Sequence, residues 1–203
     1  MTDVLLTLMT LALLAAVILP KFARAKVRVC GIGCVSKLKQ ISLGFRIWSN
    51  DNEDRFPWAV PAIEGGTLEY ATTTQVFLHF QAVSNELSTP KILVCEKDFK
   101  RTRSSDWSVF NNSNLSYFIG LDAQETDPSS ILSGDRNLST NGVGLSGGIF
   151  NLTTNLQMGW TTSIHTNAGN IGLADGSVQQ VNKGALQKHL QAGLLRTNRF
   201  AVP

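Results

Sequence analysis

The chain has 203 residues and a net charge of +3, with 43% hydrophobic and 16% charged residues. This composition excludes an intrinsically disordered chain, because such chains are poor in apolar residues and rich in charge. Three cysteines are too few for a small scaffold built on several disulfides. The length suits an N-terminal segment followed by one folded domain.

The first predicted element is an apolar segment that runs from Val4 to Leu19 and is followed by Pro20. It is slightly shorter than the ~20 residues that a spanning helix prefers. A cleavable signal peptide would have basic residues before the segment, whereas here they follow it. We therefore expect a membrane anchor that can also pack against other helices.

A basic stretch comes next, with seven basic residues and no acidic residue between Lys21 and Arg46. Such a charge beside an apolar segment favours anionic lipid headgroups as its partner. Nucleic acid is not expected as a partner, because the aromatic residues of this stretch form no stacking platform. Taken alone, the positive-inside rule would place the rest of the chain in the cytoplasm.

Apolar residues recur every three or four positions along the basic stretch, which predicts one face of a helix. These residues are Ala23, Val27, Cys30, Cys34, Leu38, Ile41, Phe45 and Trp48. Together with the apolar segment they predict a single helix from Asp3 to Ser49, about 70 Å long. Polar residues and Pro57 follow its end.

Two regions are therefore predicted, a helical stem of residues 1–50 and a globular α+β head of residues 51–203. We expect a shared core between stem and head, formed by Cys34, Leu38, Ile41, Phe45 and Trp48. In the head, short helices are predicted at 74–87 and 184–195, and strands at 91–94 and 116–121. Residues 171–174 and 177–181 flank Asp175-Gly176 and predict a β-hairpin. The stretch 126–146, rich in Asp, Asn, Ser and Gly, predicts loop.

The three cysteines, Cys30, Cys34 and Cys95, leave three interpretations open. They can be small buried apolar residues, or Cys34 and Cys95 can form a disulfide between stem and head in an oxidising compartment. A zinc site is the least favoured, because no histidine is near them in the sequence and C-x3-C is a poor ligand spacing on a helix. No metal or cofactor is expected.

Residues of the types found in a catalytic triad, Ser163, His165 and Asp175, occur near the C-terminus. However, no nucleophile-elbow motif surrounds the serine, and Asp175 belongs to the predicted turn. The sequence therefore does not indicate an enzyme.

Several segments resemble the pseudopilins, the pilin-like subunits of bacterial type II secretion systems. The first are LLAAVILPKFARAK and CVSKLKQISLGFRIWSNDNEDRFPW, and the later ones are TPKILVCEKD, SYFIGLDAQETDPSSILSGDRNL and IHTNAGNIGLADGSVQQV. Together they cover most of the chain. The resemblance implies an α+β, pilin-like fold, in which a long N-terminal helix packs on a small antiparallel sheet.

The resemblance also implies a function in protein transport or at the cell surface. The chain would be a structural subunit that assembles through its N-terminal helix into an extracytoplasmic filament, in type II secretion or a type IV pilus-like system. Its partners would be copies of itself, other pilin-like subunits and, before assembly, the inner membrane. The implied assembly residues are Asp3, Val4, Leu5, Leu6, Leu8, Leu11, Leu13, Leu14, Val17, Ile18 and Pro20.

Two residue roles follow from the same resemblance. Asp3 falls at the position of the family's glutamate, counted back from Pro20, and would pair with the N-terminal amine of a neighbouring subunit. Cys34 and Cys95 would meet where helix and head join, and a disulfide there would contribute roughly 3–4 kcal/mol on a chain-entropy model. The alternative function, from another class, is a single-span, membrane-anchored binding module whose extracytoplasmic head captures a ligand.

Overall fold

The computed structural model of the chain describes Thr7, Met9 and Leu11 and the ranges 32–153, 155–192 and 197–203. The chain divides into two compact units, residues 1–33 and residues 34–203. Thr7, Met9 and Leu11 are helical. No helix formed by the described residues is both long enough and apolar enough to cross a membrane.

Helices occupy the first half of the larger unit and one position near its end. Helix α1 covers residues 32–50, and the others are α2 (Phe77–Gln81), α3 (Ser84–Leu87) and α4 (Lys183–Ala192). Short 3-10 helices lie at Pro57–Ala59, Ala62–Glu64, Leu68–Tyr70, Pro90–Leu93, Trp107–Val109 and Asn112–Asn114.

The second half forms two antiparallel sheets. The strands are β1 (Tyr117–Gly120), β2 (Ile131–Asp135), β3 (Leu138–Thr140), β4 (Val143–Gly144), β5 (Gly148–Thr153), β6 (Met158–Trp160), β7 (Ala168–Leu173), β8 (Val178–Asn182) and β9 (Thr197–Val202). The larger sheet has six strands in the order β5-β9-β1-β2-β7-β8, and the smaller has three in the order β4-β3-β6. The C-terminal strand β9 therefore lies inside the larger sheet, between β5 and β1.

Each face of the larger sheet contributes to a different hydrophobic core. Successive side chains of a strand point to opposite faces, and in β1 Tyr117 and Ile119 join one core while Phe118 joins the other. The first core contains the buried residues of α1 and the aromatic residues that follow it. The second contains residues of the smaller sheet and of α4, such as Trp160 and Leu186.

Helix α1 lies directly against strand β7. A Cβ atom added at Gly172 of β7 would collide with the Ser42 side chain and touch Leu38, both on α1. A glycine within a strand commonly marks such a close approach. The missing side chain at Gly172 thus sets how near the helix comes to the sheet.

The predicted pilin-like fold class is wrong. The larger sheet alone has six strands and is joined by a second sheet of three, where one small sheet was expected. Among the described residues the helices are short, α1 covers 32–50, and the long N-terminal helix of a pilin is not present. The prediction relied on a helical pattern of apolar residues that begins before residue 32. Of that stretch the structure describes only three positions.

The local predictions for the head have mixed outcomes. The hairpin around Asp175-Gly176 is confirmed as β7 and β8, and the strand at 116–121 is confirmed as β1. Residues 91–94 are not a strand, because Pro90 begins a 3-10 helix there. Of the 21 residues of 126–146, eleven lie outside strands as predicted, but the other ten form the unpredicted strands β2, β3 and β4. Its serines are compatible with buried strands because, for example, Ser133 Oγ donates to the Phe118 carbonyl at 2.7 Å.

Candidate functional site

The implied assembly residues fall almost entirely outside the described part of the chain. Leu11 is described, in a helical conformation, and its side chain is 64% exposed. The others that lie outside the described residues are Asp3, Val4, Leu5, Leu6, Leu8, Leu13, Leu14, Val17, Ile18 and Pro20. Their role in assembly stays a prediction.

One face of α1 lies in the first core. Its buried residues are Cys34, Leu38, Ile41, Phe45 and Trp48. The Phe45 ring makes edge-to-face contacts with Trp58 and Phe80, each at a centroid distance of 5.5 Å. On the opposite side of the helix Leu43 and Ile47 are 56% and 46% exposed. Helix α1 is therefore part of the folded unit, with one apolar face inside it and a second, smaller apolar strip at the surface.

Cys34 of α1 and Cys95, after the fourth 3-10 helix, form a disulfide, with their Cα atoms 5.6 Å apart. The two residues are 61 positions apart in the sequence. Both are buried, with at most 1% of their surface exposed. Cys30 lies outside the described residues.

A histidine far along the chain lies against this disulfide. The His165 side chain is 6% exposed, and its Nε2 atom lies 3.5 Å from Cys95 Sγ. The two sulfur atoms and a His165 ring nitrogen all lie within 4.8 Å of one another. Nε2 also lies 3.3 Å from Asp135 Oδ2 and 3.3 Å from Asn170 Nδ2. We call Cys34, Cys95, His165, Asp135 and Asn170 the His165 cluster.

The secondary structure explains how these five residues meet. Asp135 is the last residue of β2, and Asn170 lies on the neighbouring strand β7. The Asn170 backbone N and side-chain Nδ2 donate to Asp135 Oδ2 at 2.7 and 2.8 Å. His165 precedes β7 in a turn where Thr166 and Asn167 both have positive φ, 50° and 61°. Non-glycine residues rarely adopt this conformation, and it often accompanies functional sites.

Burial controls the charges of the His165 cluster. Asp135 is fully buried, which raises its pKa to about 7, while the hydrogen bonds from Asn170 limit the rise and the charge of Asp98 adds to it. Burial lowers the pKa of His165, and the charge of Lys97 lowers it further. The imidazole is thus kept neutral at physiological pH, so its ring nitrogen has a lone pair to offer to a proton donor or a metal ion.

A buried ion pair borders the cluster. Arg136, the residue after Asp135, donates to both carboxylate oxygens of Asp98 at 2.6 and 2.7 Å. The Asp98 backbone N donates to the Cys95 carbonyl at 3.0 Å. The segment that carries Cys95 is therefore held to the end of β2 by a bidentate pair, the strongest geometry for a carboxylate and a guanidinium.

The triad considered from the sequence does not form. Asp175 Oδ1 accepts from the Ser177 backbone N within the hairpin turn, and Ser163 Oγ lies 2.8 Å from Thr161 Oγ1. The carboxylate beside His165 is Asp135 instead. Sequence analysis missed Asp135 and Asn170, because finding them required β2 to be recognised as a strand next to β7.

Comparisons with protein families, with curated proteins and with solved structures found no match to this chain.

Proposed function

We propose that this chain is a structural subunit rather than an enzyme, and that it assembles with copies of itself through its N-terminal segment into an extracytoplasmic filament. Type II secretion or a type IV pilus-like system is the setting that the sequence resemblance implies. Before assembly the subunit would be held in the inner membrane. The proposal concerns assembly and location, and it does not require the pilin fold.

The disulfide between Cys34 and Cys95 is the observation that carries the proposal. Persistent disulfides form in oxidising compartments such as the periplasm and the cell exterior, and are rare in the cytoplasm. Both cysteines are buried, so the bond is part of the packed interior of the folded unit. The disulfide therefore supports a location outside the cytoplasm. Taken alone, the positive-inside pattern of the basic stretch would predict the opposite.

Two further features support assembly through the N-terminal side. The sequence before the folded unit is apolar from Val4 to Leu19 and basic from Lys21 onward, which suits a segment that first lies in a membrane and then among other helices. The surface of α1 adds Leu43 and Ile47, which are exposed. Exposed apolar residues that lie together suit a contact with another protein.

The arrangement of the His165 cluster favours a structural role over catalysis. Cys95 is bonded to Cys34, and Asp135 is fully buried beneath the histidine. A nucleophile held in a disulfide and a carboxyl without solvent access are poorly suited to acid–base chemistry on a substrate.

The test compares the full chain with a variant that lacks residues 1–26, both expressed with a secretion signal. We expect the full chain to fractionate with membranes or to form filaments in negative-stain electron microscopy. The shortened chain should be a soluble monomer with the disulfide intact. A matched control replaces Leu43 with Ala in the full chain, which tests the exposed strip of α1 separately.

Two results would contradict the proposal. If the shortened chain assembles as well as the full chain does, the N-terminal segment is not the assembly element. If the full chain remains a membrane-bound monomer that captures a glycan or protein, a binding module is favoured. An alkaline phosphatase fusion at the C-terminus of the full chain, made without the added secretion signal, tests location independently, because this enzyme is active only where its own disulfides form.

A further inference from the structure

We propose that Cys34, Cys95 and His165 bind zinc when the disulfide is reduced, with the Asp135 carboxyl beside the histidine. The proposal does not depend on the function proposed above, and concerns a second chemical state of the same folded unit. It assigns to the His165 cluster a ligand class that the sequence alone disfavoured, because the histidine is 70 positions from Cys95.

The arrangement of the three side chains is compatible with a zinc centre. With Zn–S and Zn–N bonds of about 2.3 and 2.05 Å, an ideal tetrahedron separates sulfur from nitrogen by about 3.5 Å. The structure has 3.5 Å between Cys95 Sγ and His165 Nε2, and both sulfurs lie within 4.8 Å of a His165 ring nitrogen. The edge between Cys95 and His165 is therefore already close to its final length.

Another edge joins the two sulfur atoms, which are bonded in the disulfide. Reduction by a thiol transfers two electrons to the sulfurs, so that the disulfide becomes two cysteine thiols and the reductant becomes a disulfide. The freed sulfurs can then separate toward the ~3.8 Å edge of a zinc tetrahedron. Binding of Zn²⁺ displaces the two thiol protons to solvent, because zinc binds thiolate rather than thiol.

Charge and burial also suit zinc. Two thiolates and a neutral imidazole compensate the charge of Zn²⁺ within a site where an isolated charge would be costly. Sulfur and imidazole ligands are those that zinc selects over magnesium or calcium, which prefer oxygen. Thr166 and Asn167, the two residues after His165, are exposed, so the cluster lies next to surface residues in the sequence.

An independent observation points to a ligand at this place. Asp135 is fully buried, and its Oδ1 has no hydrogen-bond partner within the part of the chain that the structure describes. The same holds for Oδ1 of Asn170, which is also fully buried. Buried polar atoms in proteins are nearly always paired. A Zn²⁺ ion on His165 would place a positive charge beside this buried carboxyl and compensate its burial, and the two hydrogen bonds from Asn170 to Asp135 Oδ2 would hold the carboxyl there.

The experiment uses the full chain in mild detergent, reduced with a phosphine under anaerobic conditions and then titrated with Zn²⁺ or Co²⁺. We expect one ion per chain, with a dissociation constant on the order of nanomolar for zinc. The cobalt form should show thiolate charge-transfer bands and the intense visible bands of tetrahedral coordination. The oxidised chain should bind neither ion at this site.

Three variants locate the site. Cys95→Ser and His165→Gln should each weaken zinc binding by at least about 100-fold, and Asp135→Asn by about 10- to 100-fold. The matched controls are Cys30→Ser and His189→Gln. Cys30 is the cysteine outside the cluster, and His189 lies on α4 near Gln179. Both controls should bind zinc as the parent chain does.

The proposal is overturned if the reduced parent chain shows no stoichiometric cobalt bands, or if His165→Gln binds zinc as tightly as the parent. If reduction unfolds the chain, circular dichroism measures whether zinc restores the fold. Zinc should then restore the fold of the reduced parent but not of Cys95→Ser, and failure to restore the parent would equally overturn the proposal. None of these outcomes bears on filament assembly by the oxidised chain.

Discussion

Arg136 and Asp98, 38 positions apart in the sequence, form a bidentate ion pair in which the Asp98 side chain is 2% exposed and the Arg136 side chain 10%. Burial alone would raise the pKa of Asp98, but the hydrogen bonds and charge of Arg136 hold it below its ordinary value. The pair joins the Cys95 segment to the end of β2, so it is expected to support both the fold and the His165 cluster.

Replacing Asp98 with Asn should therefore destabilise the protein by about 3–5 kcal/mol, because the Arg136 charge would remain buried without its partner. Urea unfolding followed by tryptophan fluorescence measures the loss. Glu64→Gln is the matched control: Glu64 forms an exposed ion pair with Arg55 at 3.7 Å, and such pairs contribute ~1 kcal/mol at most. A loss for Asp98→Asn no larger than for the control would mean that the ion pair is not needed.

His79 should make stability depend on pH. The residue is fully buried, Nδ1 lies 2.7 Å from Thr67 Oγ1, and burial lowers the pKa of His79 to about 4. Between pH 6.5 and 4 the unfolded chain binds a proton at His79 that the folded chain does not. The contribution of neutral His79 to folding stability is therefore fully present above pH 6.5 and is lost as the pH falls toward 4. The loss is on the order of 3 kcal/mol.

The measurement is the free energy of unfolding of the parent and of His79→Leu at several pH values. The difference between them should shrink as the pH falls from 6.5 to 4. The comparison with the variant is essential because Asp135 changes the free energy of unfolding in the opposite direction. Its raised pKa gives a contribution to stability that is fully present below pH 4 and is lost as the pH rises through 7. Parallel curves for the two proteins would exclude His79 as the source.

Phe45→Ala should cost about 3–5 kcal/mol, because it removes a fully buried ring that contacts Trp58 and Phe80. Leu43→Ala, two residues earlier on the same helix but 56% exposed, should change stability by less than ~0.5 kcal/mol. Chemical denaturation of both variants measures the contrast. Equal losses of stability at the two positions would show that the face of α1 that contains Phe45 is not packed in the core.

Removing the disulfide with the double variant Cys34→Ser, Cys95→Ser should lower stability by roughly 4 kcal/mol on a chain-entropy model, because the bond closes a loop of 61 residues. Mass spectrometry of the alkylated parent, with and without reduction, establishes that the bond is present. The variant should unfold at a lower urea concentration than the oxidised parent. Equal midpoints, with the bond shown to be present in the parent, would contradict the prediction.

Local sequence patterns predicted the parts of the fold whose signals are local. The β7–β8 hairpin follows from an Asp-Gly turn between two alternating segments, and it is confirmed. The steps of three and four residues between Leu38, Ile41 and Phe45 mark the face of α1 that is buried in the structure. In both cases neighbouring residues carry the information.

The missed elements depend on contacts between distant residues. Strand β2 contains Ser133, Gly134 and Asp135, a composition typical of loops, yet every residue of β2 is buried. Its polar groups are satisfied by other strands, such as Asn170 on β7, which no local window of sequence contains. For the same reason the neighbours of His165 in the His165 cluster could not be predicted, and the fold class inferred from the N-terminal half did not describe the sheets.

The position of the disulfide also has a mechanical consequence. Cys34 is the first residue of the larger compact unit, so any tension transmitted along the chain from residues 1–33 enters that unit there. The covalent bond passes this tension straight to Cys95. Residues 35–94, which include most of α1 and the aromatic residues packed against it, lie inside the closed loop and off the direct covalent path. A subunit pulled by its N-terminus would thus resist stretching without relying on the non-covalent packing of its own helix.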